Sequence, residues 1–150
     1  MFSLEGKVAA AIGAGGVLAG AMAQGLAKAG AKVAVLDLNP DNAGKVAESI
    51  KTECKSESIA VQVDATNSQS LKTGLDKIIE TWGKVDILIN APGINSATPF
   101  FEISEDEWEK IIKVNLKSMF LACQIFGKKM IEQGTGGSII NISSVSSGPP

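Results

Sequence analysis

Short apolar runs alternate along the chain with longer segments in which apolar residues recur every three or four positions. Such runs are typical of buried strands, and the longer segments fit helices with one apolar face. We predict five strands, at Val8–Ile12, Ala31–Leu36, Ile59–Val63, Val85–Ile89 and Ile139–Ile142. The alternation predicts an α/β fold, with a parallel sheet covered by helices on both faces. Right-handed crossovers then give a doubly wound sheet with the strand order 3-2-1-4-5.

Four amphipathic helices are predicted between these strands. The last is the longest and runs from Ser104 to about Glu132. The residues that we expect to face the core are Leu18, Met22, Leu26 and Ala29 in the first helix, Ala43, Val46, Ala47 and Ile50 in the second, Leu71, Leu75, Ile78, Ile79 and Trp82 in the third, and Trp108, Ile111, Ile112, Met119, Ala122, Cys123, Phe126 and Met130 in the fourth.

Polar residues mark where these helices begin. Asn39 precedes Pro40, which predicts an N-cap followed by a proline at the first helical position. Capping boxes, in which a Ser or Thr and a Glu or Gln three residues later bond each other's backbone N–H groups, are predicted at Thr66 with Gln69 and at Ser104 with Glu107.

A glycine-rich loop joins the first strand to the first helix. Gly13, Gly15 and Gly16 let the backbone turn sharply and let a large group come close to it. The following helix directs free N–H groups and the positive end of its dipole into the same space, which suits a phosphate or pyrophosphate. The alternative is a tight turn with close helix–strand packing and no ligand.

The second strand ends at Asp37, about 20 residues past the glycines. At that spacing an acid meets the ribose hydroxyls of a bound dinucleotide. The other strands also end in small or polar residues, at the edge where open parallel sheets bind ligands. These residues are Gly13, Asp64, Asn90 and Ser143–Ser144.

Three of these polar positions each have two interpretations. Asp64, with the Ala65 backbone, either meets an adenine edge or only initiates the next helix. Asn90 either contacts a ligand or forms a turn before Pro92-Gly93. A hydroxyl of Ser143 or Ser144 either donates a hydrogen bond to a substrate oxygen or belongs to an ordinary serine-rich turn.

Asn115 is unusual because it lies on the apolar stripe of the longest helix, where its amide would be buried. One interpretation is structural: the side chain bonds a neighbouring main chain and fixes the helix. The other is functional: it holds a water or a helix distortion beside the strand ends.

Composition narrows the function classes. A net charge of −2 over 150 residues gives no reason to expect nucleic acid or an anionic membrane as a partner. The chain has no His, which excludes a Ser-His-Asp triad and a His-based metal site, and we expect no metal. Cys54 and Cys123 are the only cysteines, and reduced thiols are expected, which fits a cytoplasmic setting.

These motifs resemble the short-chain dehydrogenase/reductase family over the whole chain. The family's Thr-Gly-x-x-x-Gly-x-Gly falls on residues 12–19, where Gly13 is kept and Ile12 and Ala19 depart. Three further family motifs are matched wholly or in part, by Asn90-Ala91-Pro92-Gly93, by Asn115 within Val114-Asn115-Leu116, and by Asn141-Ile142-Ser143-Ser144. The Gly-Gly-Val-Leu sequence of the loop is similar to that of sugar-acid enzymes such as D-mannonate oxidoreductase (fructuronate reductase).

The resemblance implies a Rossmann-type domain that binds NAD, with NADP less favoured because Asp37 would repel a 2′-phosphate. It implies hydride transfer between the nicotinamide and an alcohol or ketone of a small polar substrate, with sugar acids of the mannonate, fructuronate or gluconate type as candidates. Ser144 and Asn115 match the catalytic residues. Together the loop and the resemblance predict a cofactor site at Gly13, Gly15, Gly16, Val17, Leu18, Asp37, Leu38, Asp64, Ala65, Asn90, Ala91 and Gly93.

The family's acid–base pair, Tyr-x-x-x-Lys, is expected about a dozen residues after Ser144. The sequence contains no Tyr, so residues 1–150 are interpreted as a nucleotide-binding domain truncated before that segment, and this chain alone is expected to be inactive. The resemblance also implies a homo-oligomer, a dimer or tetramer. The alternative function is that of a non-catalytic nucleotide-binding or scaffold fragment.

Overall fold

The computed structural model of the protein describes residues 3–144. The predicted domain spans 1–150, so its ends at 1–2 and 145–150 lie outside the described residues. Five parallel strands form one sheet in the order β3-β2-β1-β4-β5, as predicted. The strands are β1 (Val8–Ile12), β2 (Lys32–Asp37), β3 (Ser58–Gln62), β4 (Ile87–Asn90) and β5 (Ser138–Asn141). Their bounds differ from the predicted ones by at most two residues at either end.

Helices α1 (Val17–Lys28), α2 (Pro40–Glu53) and α3 (Ser68–Trp82) connect the first four strands. After β4 come a short 3-10 turn (Phe100–Glu102) and α4 (Glu105–Ile112), and α5 (Ser118–Glu132) leads to β5. The predicted fourth helix is therefore interrupted: a π-helical turn at Lys113–Lys117 lies between α4 and α5. None of the helices in residues 3–144 is long and apolar enough to cross a bilayer.

The sheet is covered on both faces, and alternate residues of β1 point to opposite sides. Val8, Ala10 and Ile12 pack with α3 and α5, whereas Ala9 and Ala11 pack with α1 and α2. Phe126 of α5 is the largest fully buried side chain. Burying a side chain of this kind stabilises the fold by about 1.5–3 kcal/mol.

The core-facing residues of α2 and α3 agree with the prediction: Ala43, Ala47 and Ile50 are buried in α2, and Leu71, Leu75 and Ile78 in α3. In α5 the buried residues include Ala122, Phe126 and Met130. The α4 end of the predicted stripe is wrong, because Trp108 is 60% exposed and Ile112 is also exposed. The π-helical turn adds a residue to the helical repeat, so the stripe does not keep one direction across it.

The predicted inner face of α1 is partly wrong. The buried residues are Ala19, Gly20, Ala23 and Ala27, whereas Leu18 is 61% exposed. A small residue lets the helix approach the glycine loop closely: a Cβ on Gly20 would lie 3.2 Å from the carbonyl oxygen of Ala14. The larger residues Met22 and Leu26 pack beside this contact and are only partly buried.

Two of the three predicted helix caps are found. The Asn39 side chain accepts hydrogen bonds from the N–H groups of Asp41 and Asn42, and the Ser104 hydroxyl accepts one from Glu107. The cap of α3 was predicted at Thr66 and is instead Asn67, whose amide oxygen accepts from Gln69 and Ser70 at 2.9 and 3.0 Å.

Candidate functional site

A cleft of about 720 Å³ opens where the carboxyl ends of β1, β2 and β4 meet. The residues predicted for the cofactor line it, apart from Asn90: Gly13, Gly15, Gly16, Val17, Leu18, Asp37, Leu38, Asp64, Ala65, Ala91 and Gly93. They come from four separate parts of the chain, and the parallel sheet brings them to one edge.

The glycine loop leaves β1 with Gly13 in the left-handed region, at φ +76°. Its N–H donates to the carbonyl of Leu36 at 2.8 Å, which ties the start of the loop to β2. A Cβ at this position would lie 3.0 Å from the carbonyl oxygen of Ala91. Both the positive φ and the close approach therefore require glycine here.

Gly15 is held against Asp37. Its N–H donates to Oδ2 of Asp37 at 2.9 Å, and the N–H of Asn39 donates to Oδ1 at 2.9 Å. A Cβ on Gly15 would lie only 2.8 Å from Cγ of Asp37, so a side chain does not fit. The carboxylate is thus fixed at the end of β2, with a backbone donor on each oxygen, and borders the cleft.

Helix α1 begins beside these groups without a side-chain cap at Gly16. Within residues 3–144 no hydrogen bond is found for the N–H groups of Val17, Leu18 or Ala19. All three residues line the cleft, and the first turn contains no acidic residue. The positive end of the helix dipole is therefore available to an anion in the cleft.

Asp64 lies in the cleft and has local partners. Its Oδ1 accepts hydrogen bonds from the N–H and the hydroxyl of Thr66, both at 2.8 Å. Its own N–H donates to the hydroxyl of Ser70 at 2.9 Å. The residue thus shapes the turn into α3, as one interpretation predicted, while remaining on the wall of the cleft.

Asn90 does not line the cleft. It is fully buried, and its Nδ2 lies 3.2 Å from the carbonyl oxygen of Met119 and 3.3 Å from Oδ1 of Asn141. It therefore links β4 to α5 and β5, and within the described residues its own Oδ1 has no hydrogen-bond partner. The predicted cofactor contact of Asn90 stays a prediction.

A second cleft, of about 530 Å³, contains the two predicted catalytic residues, Asn115 and Ser144. It is also lined by Asn95, Leu116, Met119, Asn141, Ile142 and Ser143. The segment 91–94 lines both clefts and so forms a wall between them.

Asn115 joins the π-helical turn to this wall. Its Oδ1 accepts from the N–H of Ile94 and its Nδ2 donates to the carbonyl of Ile94, both at 2.9 Å. The side chain therefore bonds a neighbouring main chain, as the structural interpretation predicted. It also lies within the π-helical turn Lys113–Lys117, and the functional interpretation stays a prediction.

The arrangement agrees with what similar proteins show. The family model described as short chain dehydrogenase matches residues 7–150. The chain belongs to this family. It is 37% identical over 150 residues to a short chain dehydrogenase/reductase of Aspergillus oryzae, covering 99% of this chain and 58% of the relative. It is 34% identical to the D-threitol dehydrogenase of Mycolicibacterium smegmatis, covering 95% of this chain and 54% of that enzyme.

A solved structure has the same fold. The short-chain type dehydrogenase/reductase from Mycobacterium marinum superposes with a TM-score of 0.93 at 30% identity, covering 97% of this chain and 59% of that one. This short-chain dehydrogenase chain thus spans little more than half the length of the relatives it matches. The matching relatives are dehydrogenases of various kinds and give no support to the narrower resemblance to mannonate or fructuronate enzymes.

Several residues of the chain border the clefts without having been predicted. Asn42, Lys110 and Lys113 line the first cleft, and Asn95 lines the second. The sequence carries only a weak signal for Asn95, a polar residue shortly after a strand end. The lysines lie on the polar side of a helix, where nothing local distinguishes them from ordinary surface residues.

Glu107 was predicted to close a capping box, but its carboxylate bonds elsewhere. The hydroxyl of Ser96 donates to Oε1 of Glu107 at 2.6 Å. This hydrogen bond and, to a smaller extent, a hydrogen bond with Thr98 hold the pKa of Glu107 below its usual range. Within residues 3–144 no group of three His, Cys, Asp or Glu side chains lies close enough together to hold a metal ion.

Proposed function

We propose that the protein is an NAD-dependent oxidoreductase, which transfers a hydride between nicotinamide and an alcohol or ketone of a small polar substrate. The observation that carries the proposal is the pair of adjoining clefts, one with the glycine loop and Asp37, the other with Ser144 and Asn115. A dinucleotide has two nucleoside halves joined by an anionic pyrophosphate. The first cleft has backbone N–H groups at the start of α1 for the pyrophosphate and the carboxylate of Asp37 for the adenosine ribose.

The residues present fit such a cofactor. The N–H groups of Val17 and Leu18, at the start of α1 and without a side-chain cap, suit a pyrophosphate beside the backbone. The Asp37 carboxylate suits ribose hydroxyls, because each of its oxygens has a further lone pair beyond the one that its backbone donor occupies. When bound, the nicotinamide ring supplies the hydride acceptor or donor.

The preference for NAD over NADP rests on the same carboxylate. A 2′-phosphate placed at the adenosine ribose would bring its negative charge next to Asp37. Hydrogen bonds to charged groups contribute roughly 1.5–3 kcal/mol. With NADP, the Asp37 carboxylate would lose such a bond to the ribose and would repel the 2′-phosphate instead.

On the substrate side, the proposed role of Ser144 is to donate a hydrogen bond to the reacting oxygen. Asn115 holds the wall between the clefts through Ile94. The proton exchanged at that oxygen needs a further group, since the chain contains neither Tyr nor His. We propose that the family's Tyr-x-x-x-Lys supplies it in the whole protein, so residues 1–150 by themselves bind cofactor without turnover.

The proposed substrate is a small polyol or sugar acid. The name of the D-threitol dehydrogenase supports a polyhydroxylated substrate. The second cleft combines polar groups with the apolar side chains of Leu116 and Met119. The mannonate and fructuronate class remains within this proposal as one member of it.

Titration of the protein with NADH and with NADPH, followed by nucleotide fluorescence, tests the cofactor proposal. Wild type should bind NADH more tightly. Asp37→Ala should weaken NADH binding by roughly 10- to 150-fold and narrow the difference between the two nucleotides. Asp37→Asn is a partial control, because it removes the charge while its single amide oxygen can still accept from one of the two backbone N–H groups, and it should chiefly improve NADPH binding.

An unchanged nucleotide preference in Asp37→Ala would remove this residue from the cofactor site. Turnover is tested separately, with the full-length protein and a panel of polyols and sugar acids. NADH binding without turnover of any of them would favour the non-catalytic alternative.

A further inference from the structure

The loop that follows β4 is anchored at two positions that are separated by a single residue. Ile94 is held at both its N–H and its carbonyl by Asn115, each at 2.9 Å. Ser96 donates to Oε1 of Glu107 at 2.6 Å, and its hydroxyl accepts from the N–H of Thr98 at 3.0 Å. The loop is therefore fixed to the π-helical turn on one side and to α4 on the other.

Asn95 is the residue between these two anchors. Consecutive Cα atoms are about 3.8 Å apart, so its backbone has little freedom once both neighbours are held. Asn95 is exposed and borders the second cleft together with Ser144. Across the described residues, no hydrogen bond is found for the Asn95 amide, although it carries two donors and an acceptor.

The two other side-chain amides that line the second cleft already have partners, because Asn115 bonds Ile94 and Asn141 accepts from Asn90. Leu116, Met119 and Ile142 add apolar surface to the cleft. A side-chain amide can both donate to and accept from a hydroxyl, whereas these neighbours can do neither. Because its backbone is already fixed, binding through Asn95 loses less conformational entropy than binding through a free loop would.

We propose that Asn95 is a specificity-determining residue, whose amide binds a second hydroxyl of the substrate while Ser144 holds the reacting oxygen. The inference rests on the proposed function for the role of Ser144. Glu107 and Ser96 are positioning residues in this arrangement, since they act only by holding the segment that carries Asn95. The ligand class is a small diol or polyol, as opposed to a simple secondary alcohol.

The test compares 2-butanol with 2,3-butanediol and 1,3-butanediol, as substrates of the full-length protein with NAD. Wild type should have a higher kcat/KM for at least one diol than for 2-butanol. Asn95→Ala should reduce that ratio by roughly 3- to 10-fold, through KM more than kcat, which corresponds to the loss of one neutral hydrogen bond. The affinity for NADH, measured in parallel, should stay within about twofold of wild type.

The positioning pair gives a matched control. Glu107→Ala and Ser96→Ala should each lower the diol preference, and the double variant should lower it no further, because both remove one interaction. Glu107→Gln keeps an oxygen that accepts from Ser96 and should restore the preference. If Glu107 had only a structural role, Glu107→Ala would lower thermal stability, and Glu107→Gln would not restore the preference for the diol over 2-butanol.

Calorimetry gives the same comparison without turnover, by titrating each alcohol into protein saturated with NADH. Tighter binding of a diol than of 2-butanol, lost in Asn95→Ala, supports the inference. Equal binding of the alcohols by wild type, or a preference unchanged in Asn95→Ala, overturns it. Failure of NADH itself to bind would instead overturn the proposed function, so the two failures are distinguishable.

Discussion

At the scale of single residues, one carboxylate organises the loop that carries the candidate cofactor site. Asp37 accepts from Gly15 across the loop and from Asn39 within the next turn. The loop can approach only because Gly15 has no side chain, since a Cβ would lie 2.8 Å from Cγ of Asp37. The close approach of the glycine loop and the position of the Asp37 carboxylate therefore depend on each other.

We predict that Gly15→Ala weakens NADH binding by at least tenfold, because either Asp37 or the loop must move. Gly25→Ala in α1 is the control: nothing lies within 4 Å of a Cβ there, and alanine in a helix should stabilise by roughly 0.5–1 kcal/mol. Fluorescence titration measures the first effect and urea unfolding the second. Wild-type NADH affinity in Gly15→Ala would contradict the close packing that we describe.

A second residue, Asp86, links stability to pH at the opposite end of the sheet. Burial raises the pKa of Asp86, but the hydrogen bond from Val8, at 2.8 Å, and the ammonium groups of Lys84 and Lys7 together lower it below its usual range. As the pH falls, Asp86 is therefore protonated at a higher pH in the unfolded chain than in the folded protein. The stabilisation is therefore present above the usual pKa of an Asp, about 3.9, and is lost as the pH falls through the lower folded value.

Asp86→Asn should lower the free energy of unfolding by roughly 1.5–3 kcal/mol at pH 7, and the difference from wild type should shrink below about pH 4. Glu57→Gln is the control, because the Glu57 carboxylate is exposed, although it pairs with Lys32 at 2.7 Å. Its effect should be at most about 1 kcal/mol. Urea unfolding at a series of pH values measures both variants, and a pH-independent difference for Asp86→Asn would refute this account.

At the scale of elements, the points where helices begin depend on which polar side chain reaches the free N–H groups. Thr66 and Asn67 are adjacent candidates for α3. Thr66 donates its hydroxyl to Asp64, and Asn67 is left to cap the helix. Likewise Ser104 caps α4, while Glu107 turns away to Ser96. Partners outside the helix thus decide between local alternatives of similar propensity.

Asn67→Ala should therefore destabilise the protein by about 0.5–2 kcal/mol, because two N–H groups of α3 lose their acceptor. Thr66→Ala removes one hydroxyl donor and should cost less. Thermal unfolding of the two variants side by side measures the difference. A larger loss of stability in Thr66→Ala than in Asn67→Ala would instead identify Thr66, the residue predicted from the sequence, as the cap of α3.

At the scale of the whole molecule, the longest helical segment divides its apolar residues between two surfaces. Ala122, Phe126 and Met130 face the core. Trp108, Ile112, Leu116 and Phe120 are exposed and are called the outer stripe here; it spans the π-helical turn, and its member Leu116 also borders the second cleft. The single apolar stripe predicted from the sequence combined residues of both surfaces. Exposed apolar residues in a row are typical of a surface that another protein covers.

We predict that the full-length protein is a homo-oligomer, with the helix Trp108–Met130 at the shared interface, as the family resemblance implies. Phe120→Glu in the outer stripe should weaken association by roughly 2 kcal/mol or more, since buried aromatic residues dominate interfaces. Ile131→Glu is the control, an exposed apolar residue near the end of α5 and off the stripe. Light scattering that shows a monomer at micromolar concentration for wild type would contradict the prediction.

The sequence by itself determined the parallel sheet and its order, and it identified the glycine loop and Asp37, which border the first cleft. The period of the apolar residues distinguishes strands from helices, and right-handed crossovers leave few arrangements of five alternating strands. The glycine loop and Asp37 were found for the same reason: each directly follows a strand, and parallel strands end at a common edge. These are properties of local pattern and chain order.

Only the tertiary structure decided which side chains meet across space. Alanines rather than Leu18 pack in the core beneath α1, together with Ala9 and Ala11 of β1. The pairing of Asn115 with Ile94 joins residues 21 positions apart, and that of Ser96 with Glu107 joins residues 11 apart. No local pattern encodes such contacts, since each depends on how a loop packs against a helix. The place of Asn95 in the second cleft follows from both contacts together.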